Sequence, residues 1–548
     1  MSDDVVSTST PEPALITEIR QGYAFEGPAL HFGAAGVEGT AHPDAAVRIP
    51  LSMMNRHGLV AGATGTGKTK TLQLMAEQLI EQGVPVFLAD IKGDLSGMAS
   101  PGEGGDRITA RSQDVGLDWE PTAYPAEFFS LGGEGKGIPI RASVSQFGPV
   151  LLAKVLGLNQ TQESSLQLIF HYADTNGLWL DTLEDLRAVI RFLTSEAGKP
   201  ELRDIGGIST ATAGVILREL TAFAAQGAGV FFGLPEFDSD DFIRLAADGR
   251  GVLSILELPA VQDKPELFST FLMWLLADLF AGLPEEGDLD RPKLVFFFDE
   301  AHLLFNDASE EFLDAIQQTV RLIRSKGVGV FFVTQSPKDV PGDVLAQLGS
   351  RVQHALRAFT PDDQKALRAA VRTYPDTEYD LESLMTSLGT GEAVITVLSE
   401  DGAPTPVAWT RMRAPESLMD PSPESVLDAA VEASPLRAKY WEAVERESAL
   451  EMLTEQEASR TAEEEQARLE AENARIREAA AAQAEKERLA AEKQAAKDAT
   501  AAQRAEKDEP GVVASVVKSS AFRSMLRSAG TVIGREITRS VFGNSRRR

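Results

Sequence analysis

Between residues 57 and 409 the chain alternates short apolar runs with stretches whose apolar residues recur every three or four positions. The runs are HGLVAG (57–62), VPVFLAD (84–90), GVLSILEL (251–258), KLVFFFDE (293–300) and VGVFFVTQ (328–335). Each is apolar at consecutive rather than alternate positions, so the strands they predict are covered on both faces. Such strands, separated by helical stretches, predict a parallel α/β sheet wrapped by helices. From about 145 to 247 the rhythm breaks. SSLQLIFHYADTNGLWL and ATAGVILRELTAFAAQ have helical periodicity, which predicts a helical insertion between two core strands. GEAVITVL (391–398) and TPVAW (405–409), joined by EDGAP, predict a β-hairpin that closes the domain.

The ends differ from this core, which spans 51–415. Residues 1–50 form a short N-terminal segment with a strand-like VRIPL (47–51); its first 13 or so residues are polar and Pro-bearing, and are expected to be disordered. Pro415, Pro421 and Pro423 mark a linker over 416–435. The next stretch, 436–509, has neither Gly nor Pro and is rich in Ala, Glu, Lys, Arg and Gln. As one helix it would reach roughly 110 Å. Leu450, Leu453, Leu469, Ile476 and Leu489 hold seven-residue spacing only between 469 and 476, so a solvated charged helix is preferred to a coiled coil. Past Pro510 the charge reverses. Residues 512–548 carry eight Lys and Arg against one Glu, interleaved with Val, Ile, Leu and Phe. This 510–548 tail predicts an amphipathic basic helix suited to a membrane surface, nucleic acid or an acidic partner.

Composition narrows the chemistry. The 548 residues contain no cysteine, which excludes disulfides, thiolate zinc sites and cysteine nucleophiles. Any metal must be held by oxygen or imidazole ligands, and the six histidines include no i, i+4 pair, so a structural zinc site is not expected. Acidic residues outnumber basic ones by 82 to 53, for a net charge of −29. The longest apolar stretch, Phe271 to Phe280, is half a membrane span and contains Asp278, so it reads as a buried helix rather than a transmembrane segment. The N-terminus lacks the basic-then-apolar order of a secretory signal, and the expected location is cytoplasmic, or peripheral at membrane or nucleoid.

The strongest chemical signal is Gly62-Ala63-Thr64-Gly65-Thr66-Gly67-Lys68-Thr69, which fits G-x-x-x-x-G-K-[ST] between a strand pattern and a helix pattern. Its glycines let backbone N–H groups turn inward around phosphates, and the helix N-terminus adds partial positive charge. Lys68 is placed to reach the β- and γ-phosphates of ATP, and Thr69 to hold Mg²⁺ through its hydroxyl. Hydrolysis needs a second, acidic site. KLVFFFDE supplies Asp299 for the Mg²⁺ shell and Glu300 as general base, the alternative being an Asp-Glu cap on the next helix. His302 reads as a local hydrogen-bonding residue. Gln335, at the tip of VGVFFVTQ, is placed to sense the γ-phosphate or orient the water. Asp90-Ile91-Lys92-Gly93-Asp94 either shapes the nucleotide mouth or is simply a turn. Arg321, Arg324, Arg351 and Arg357 are candidates for an arginine finger supplied by a neighbouring subunit.

Together, GLVAGATGTGKTKTLQLMAEQL, VPVFLADIKGDLSG, KLVFFFDEAHLLF and GVGVFFVTQSPKDVP resemble the HerA/FtsK superfamily of P-loop ATPases, and more closely its bacterial HerA-like, YjgR-type group. The resemblance covers about residues 20–415. It implies a RecA-like ASCE core with an extra strand between Walker A and Walker B, ATP hydrolysis, and a homo-oligomeric ring, most often a hexamer. Lys68 and Thr69 fall on Walker A, Asp299 and Glu300 on Walker B, and Gln335 on the sensor. Only about 50 residues precede Walker A, so the sizeable N-terminal β-barrel of HerA proper is not expected, nor is the winged helix of FtsK. Three functions follow: a DNA translocase or helicase-like motor, an ATPase acting on protein or envelope-associated cargo through 436–548, and a nucleotide-switched scaffold. The acidic balance weighs against the first, because DNA affinity rests on phosphate neutralisation. Complete catalytic residues weigh against the third.

Overall fold

The computed structural model describes residues 13–505, apart from 262, 288 and 306–309. The basic 510–548 tail and most of the N-terminal stretch expected to be disordered lie outside the described residues. Two compact units divide the chain, residues 1–457 and 458–548.

The first unit is built on a twelve-stranded sheet. In chain order its strands are β1 (Ala29–Val37), β2 (Thr40–Pro50), β3 (Gly58–Ala61), β4 (Val86–Asp90), β5 (Ala126–Leu131), β6 (Ile138–Ile140), β7 (Leu253–Glu257), β8 (Leu294–Phe298), β9 (Val328–Thr334), β10 (Ser350–Gln353), β11 (Glu392–Thr396) and β12 (Ala408–Met412). Their spatial order is β2-β1-β12-β11-β10-β3-β9-β8-β4-β7-β5-β6. From β10 to β6 every neighbouring pair is parallel. The five apolar runs of the sequence supply β3, β4, β7, β8 and β9, each buried at every position, as a two-sided helical cover requires. β9 lies between β3 and β8, the strand insertion that the family resemblance implies.

Beyond β10 the sheet turns antiparallel. β11 and β12 form the expected hairpin, and the sheet continues past it: β1 pairs with β12, and β2 with β1. The VRIPL segment thus joins the same sheet as the core. Burial in β2 alternates toward its second half, the pattern of a strand with one wet face.

Helices Gln160–Thr175, Leu183–Thr194 and Thr210–Ala225 fill the interval where the sheet rhythm breaks. Asn159, Thr182 and Ser209 cap them by accepting backbone N–H groups, and Ile169, Val189, Ile190, Ile216 and Leu220 form their shared core. Phe271 to Phe280 lies in helix Pro265–Gly282, whose Phe271, Leu272, Leu275 and Leu279 are buried. Among the described residues, no helix is long and apolar enough to cross a membrane.

The stretch after β12 packs against the sheet and carries helix Glu424–Ala433. Glu77 accepts the N–H groups of Glu416 and Ser417, both at 2.9 Å. Further along, Arg446 makes a two-armed ion pair to Asp181, at 2.8 and 2.6 Å. Helix Ala449–Ala505 then runs 57 residues. Strong helix formers and i, i+4 pairs such as Gln466–Glu470 at 3.2 Å sustain it, and Leu469, Ile476 and Leu489 stand exposed.

Candidate nucleotide site

β3 ends at Ala61 and helix Lys68–Glu81 begins seven residues on, so the intervening loop must reverse direction tightly. Gly67 caps the helix at φ +114°, a left-handed conformation that favours glycine. At Gly62 a Cβ would stand 2.5 Å from the Cβ of His354. The loop is braced from outside. Ala63 N–H donates to Ala355 O at 2.8 Å, and Gly391 N–H to Thr66 O at 3.1 Å. Behind it, His354 is fully buried, with Nδ1 2.8 Å from Glu392 O and Nε2 2.8 Å from Thr71 Oγ1. A carbonyl only accepts, so Nδ1 carries the proton and the Thr71 hydroxyl donates to Nε2. Burial pulls His354 down to about 4, which keeps this neutral tautomer.

Lys68 is buried, and its ammonium has one long hydrogen bond, to Ala63 O at 3.3 Å. Burial holds it below the ordinary lysine range. Asp299 and Glu300 follow directly on β8, two strands from β3. Asp299 Oδ1 accepts the Glu300 N–H at 2.9 Å, while its buried Oδ2 has no partner among the described residues. Burial pushes this carboxyl up to about 6, against the opposing charge of Lys92. Glu300 has φ +47°, a strained backbone that costs roughly 1–3 kcal/mol for a residue with a side chain. Its Oε1 is ion-paired with Lys92 Nζ. Its Oε2 accepts from Gln335 Nε2 at 3.4 Å and lies 3.2 Å from His302 Nδ1, the latter without hydrogen-bond geometry. Burial alone would raise Glu300, but the Lys92 hydrogen bond and charge, with the Gln335 amide, hold it below its usual range.

Of these groups, His302 and Gln335 line a cleft of about 380 Å³, together with Ala63, Thr64, Arg357 and Asp363 among others. Of the four candidate arginines, Arg357 lines it and Arg321, Arg324 and Arg351 do not. Arg357 donates to Thr64 O at 3.4 Å, touching the phosphate loop of its own chain. Arg351 donates to Thr373 O at 3.3 Å. Arg321 and Arg324 line a second cleft, of about 770 Å³, beside His57 at the N-terminal edge of the parallel strands. The Asp90–Asp94 segment is a true turn: buried Asp90 accepts from the N–H groups of Gly93, Asp94 and Leu95. It also carries Lys92 onto Glu300, a contact that sequence reading missed; its only trace there is a lysine at the tip of a strand neighbouring the acidic one.

A phosphate loop on one strand, an acidic pair on the second strand over, and a glutamine on the strand between define a RecA-like P-loop NTPase. The model of the helicase HerA-like C-terminal family matches residues 37–548, and the chain belongs to that family. The chain is 22% identical over 357 residues to the DNA double-strand break repair helicase HerA of Sulfurisphaera tokodaii, covering 64% of each chain. To the protein of the same name from Sulfolobus acidocaldarius it is 23% identical over 354 residues, again 64% of each. The chain thus spans somewhat less than two thirds of these relatives' length. Among solved structures, the plasmid coupling protein TrwB in complex with an ATP analogue aligns with 73% of this chain and 98% of its own, at 17% identity and a TM-score of 0.48.

Proposed function

We propose that this protein is a Mg²⁺-dependent ATPase of HerA type that assembles as a homo-oligomeric ring, most simply a hexamer, and moves along DNA as a translocase or helicase-like motor. The observation that carries this reading is the convergence of Lys68, Asp299, Glu300 and Gln335 at the C-terminal ends of three adjacent parallel strands. The site's loose ends fit a bound nucleotide and cation. Lys68 is a buried ammonium with one long bond, and Asp299 Oδ2 is a buried oxygen without a partner among the described residues.

Lys68 and the backbone N–H groups of Gly62–Thr69 would bind the phosphates. Thr69 and Asp299 would hold Mg²⁺, which supplies charge neutralisation on the transferred phosphoryl group. Among the described residues no three His, Asp or Glu converge on a metal, in keeping with a cation held by one or two protein ligands plus phosphate and water. Glu300 takes the proton of the attacking water, and Gln335, bonded to Glu300, fixes the carboxylate's direction. Arg357 is the arginine best placed to add positive charge within the same chain, while Arg321 and Arg324 face the opposite edge and suit contact with a neighbouring subunit.

The relatives named as DNA repair helicases support DNA as cargo. The acidic balance of the chain and the exposed helix Ala449–Ala505 favour a second reading, an ATPase that acts on protein or envelope cargo through that arm. Steady-state ATPase rates with and without duplex DNA, at low and physiological salt and with Glu300→Gln as blank, separate the two. Stimulation that survives physiological salt supports the DNA motor; an unchanged rate supports protein cargo.

A further inference from the structure

The turn after β4 brings an ammonium onto the residue read as the general base. Asp90, at the end of β4, closes this turn by accepting the N–H groups of Gly93, Asp94 and Leu95, so the backbone that carries Lys92 is held. Its side chain is not: Lys92 is 45% exposed, whereas Glu300 is 7% exposed. One partner of the ion pair is therefore locked in the fold and the other sits on a free stem in water. Both carboxylate oxygens of Glu300 are engaged, Oε1 by Lys92 and Oε2 by Gln335.

We propose that Lys92 is a latch, a positioning residue that holds Glu300 in a resting posture, and that hydrolysis requires this ion pair to open. The proposal rests on the reading of Glu300 as the base. A carboxylate oxygen capped by an ammonium does not face the water it must deprotonate, and the partner able to leave is the exposed one. Lys92 needs no new protein partner on leaving, because its side chain already reaches water. Its departure needs only side-chain rotation, since the turn backbone stays clamped.

The test uses full-length Lys92→Ala, Lys92→Met and Lys92→Arg, with kcat and KM for ATP measured without DNA and affinity for Mg²⁺ and a fluorescent ADP analogue measured separately. Lys92→Ala and Lys92→Met are expected to raise kcat at least about fivefold while KM and analogue affinity stay within about twofold; Lys92→Arg restores the slow rate. A kcat that falls or does not change overturns the latch, and so does loss of analogue binding, which would place Lys92 in the nucleotide site instead. A second readout needs no turnover. Acylation of Lys92 by an amine reagent, followed by mass spectrometry, is expected to be faster in Glu300→Gln than in wild type; equal rates overturn the proposal. Failure of the ATPase reading is distinct, since it shows as Lys68→Ala retaining both turnover and analogue binding.

Discussion

Two residues with side chains hold left-handed backbones at opposite edges of the parallel sheet, His57 at φ +60° just before β3 and Glu300 at φ +47° just after β8. Both are buried. Both ring nitrogens of His57 are matched. Its Nε2 donates to Val320 O at 2.7 Å and its Nδ1 accepts the Val330 N–H at 3.0 Å, tying a surface helix and β9 to the start of β3. Burial pulls this imidazole down to about 4, so it stays neutral. Around Glu300 the accounts are open: Asp299 Oδ2 lacks a partner and Lys68 has one weak bond. Strain alone therefore does not mark a working site. Strain beside unsatisfied buried charge marks a candidate one, as Lys68 and Asp299 do beside Glu300.

The comparison breaks first at His57. His57→Leu leaves Val320 O and the Val330 N–H unpaired in the core and keeps the unfavourable backbone, so urea unfolding is expected to show a loss of roughly 2–5 kcal/mol. Nucleotide affinity of the folded protein is expected to hold. Lys68→Ala is the converse. It weakens binding of a fluorescent ADP analogue by about 10- to 100-fold, while the melting temperature stays level or rises because a costly buried ammonium is gone. Should His57→Leu also abolish binding in the folded state, the two edges are not separate in function.

A smaller effect sharpens the same contrast through pH. Burial, reinforced by Asp90, pushes Glu257 at the tip of β7 up to about 8. A raised carboxyl binds a proton in the fold that the unfolded chain has released. Its contribution is thus present at low pH and is lost as pH rises from the ordinary carboxylate range to about 8. Glu257→Gln is expected to match wild type near pH 4 and to exceed its stability by roughly 1–3 kcal/mol at pH 8, as read by thermal melts at both.

What could be read from sequence was what is local. The phosphate loop, the acidic pair and Gln335 each sit in one unbroken stretch with its strand beside it, and the parallel core follows from runs such as LVFFF that are apolar at every position. The rest depends on partners far along the chain. β1 and β2 extend the sheet because β12, more than 370 residues later, offers an open edge. Lys92 meets Glu300 across 208 residues, and Glu77 receives Glu416 across 339. Such polar contacts leave no periodicity, because one exposed lysine or serine looks like any other until the fold chooses its neighbour.

The central claim is that Glu300 activates water while Lys68 and Thr69 hold nucleotide. Its most direct test is Glu300→Gln, assayed in parallel for ATP turnover and for binding of a fluorescent ADP analogue with Mg²⁺. Turnover is expected to fall at least about 100-fold with binding unchanged. Normal turnover in that variant would contradict the account.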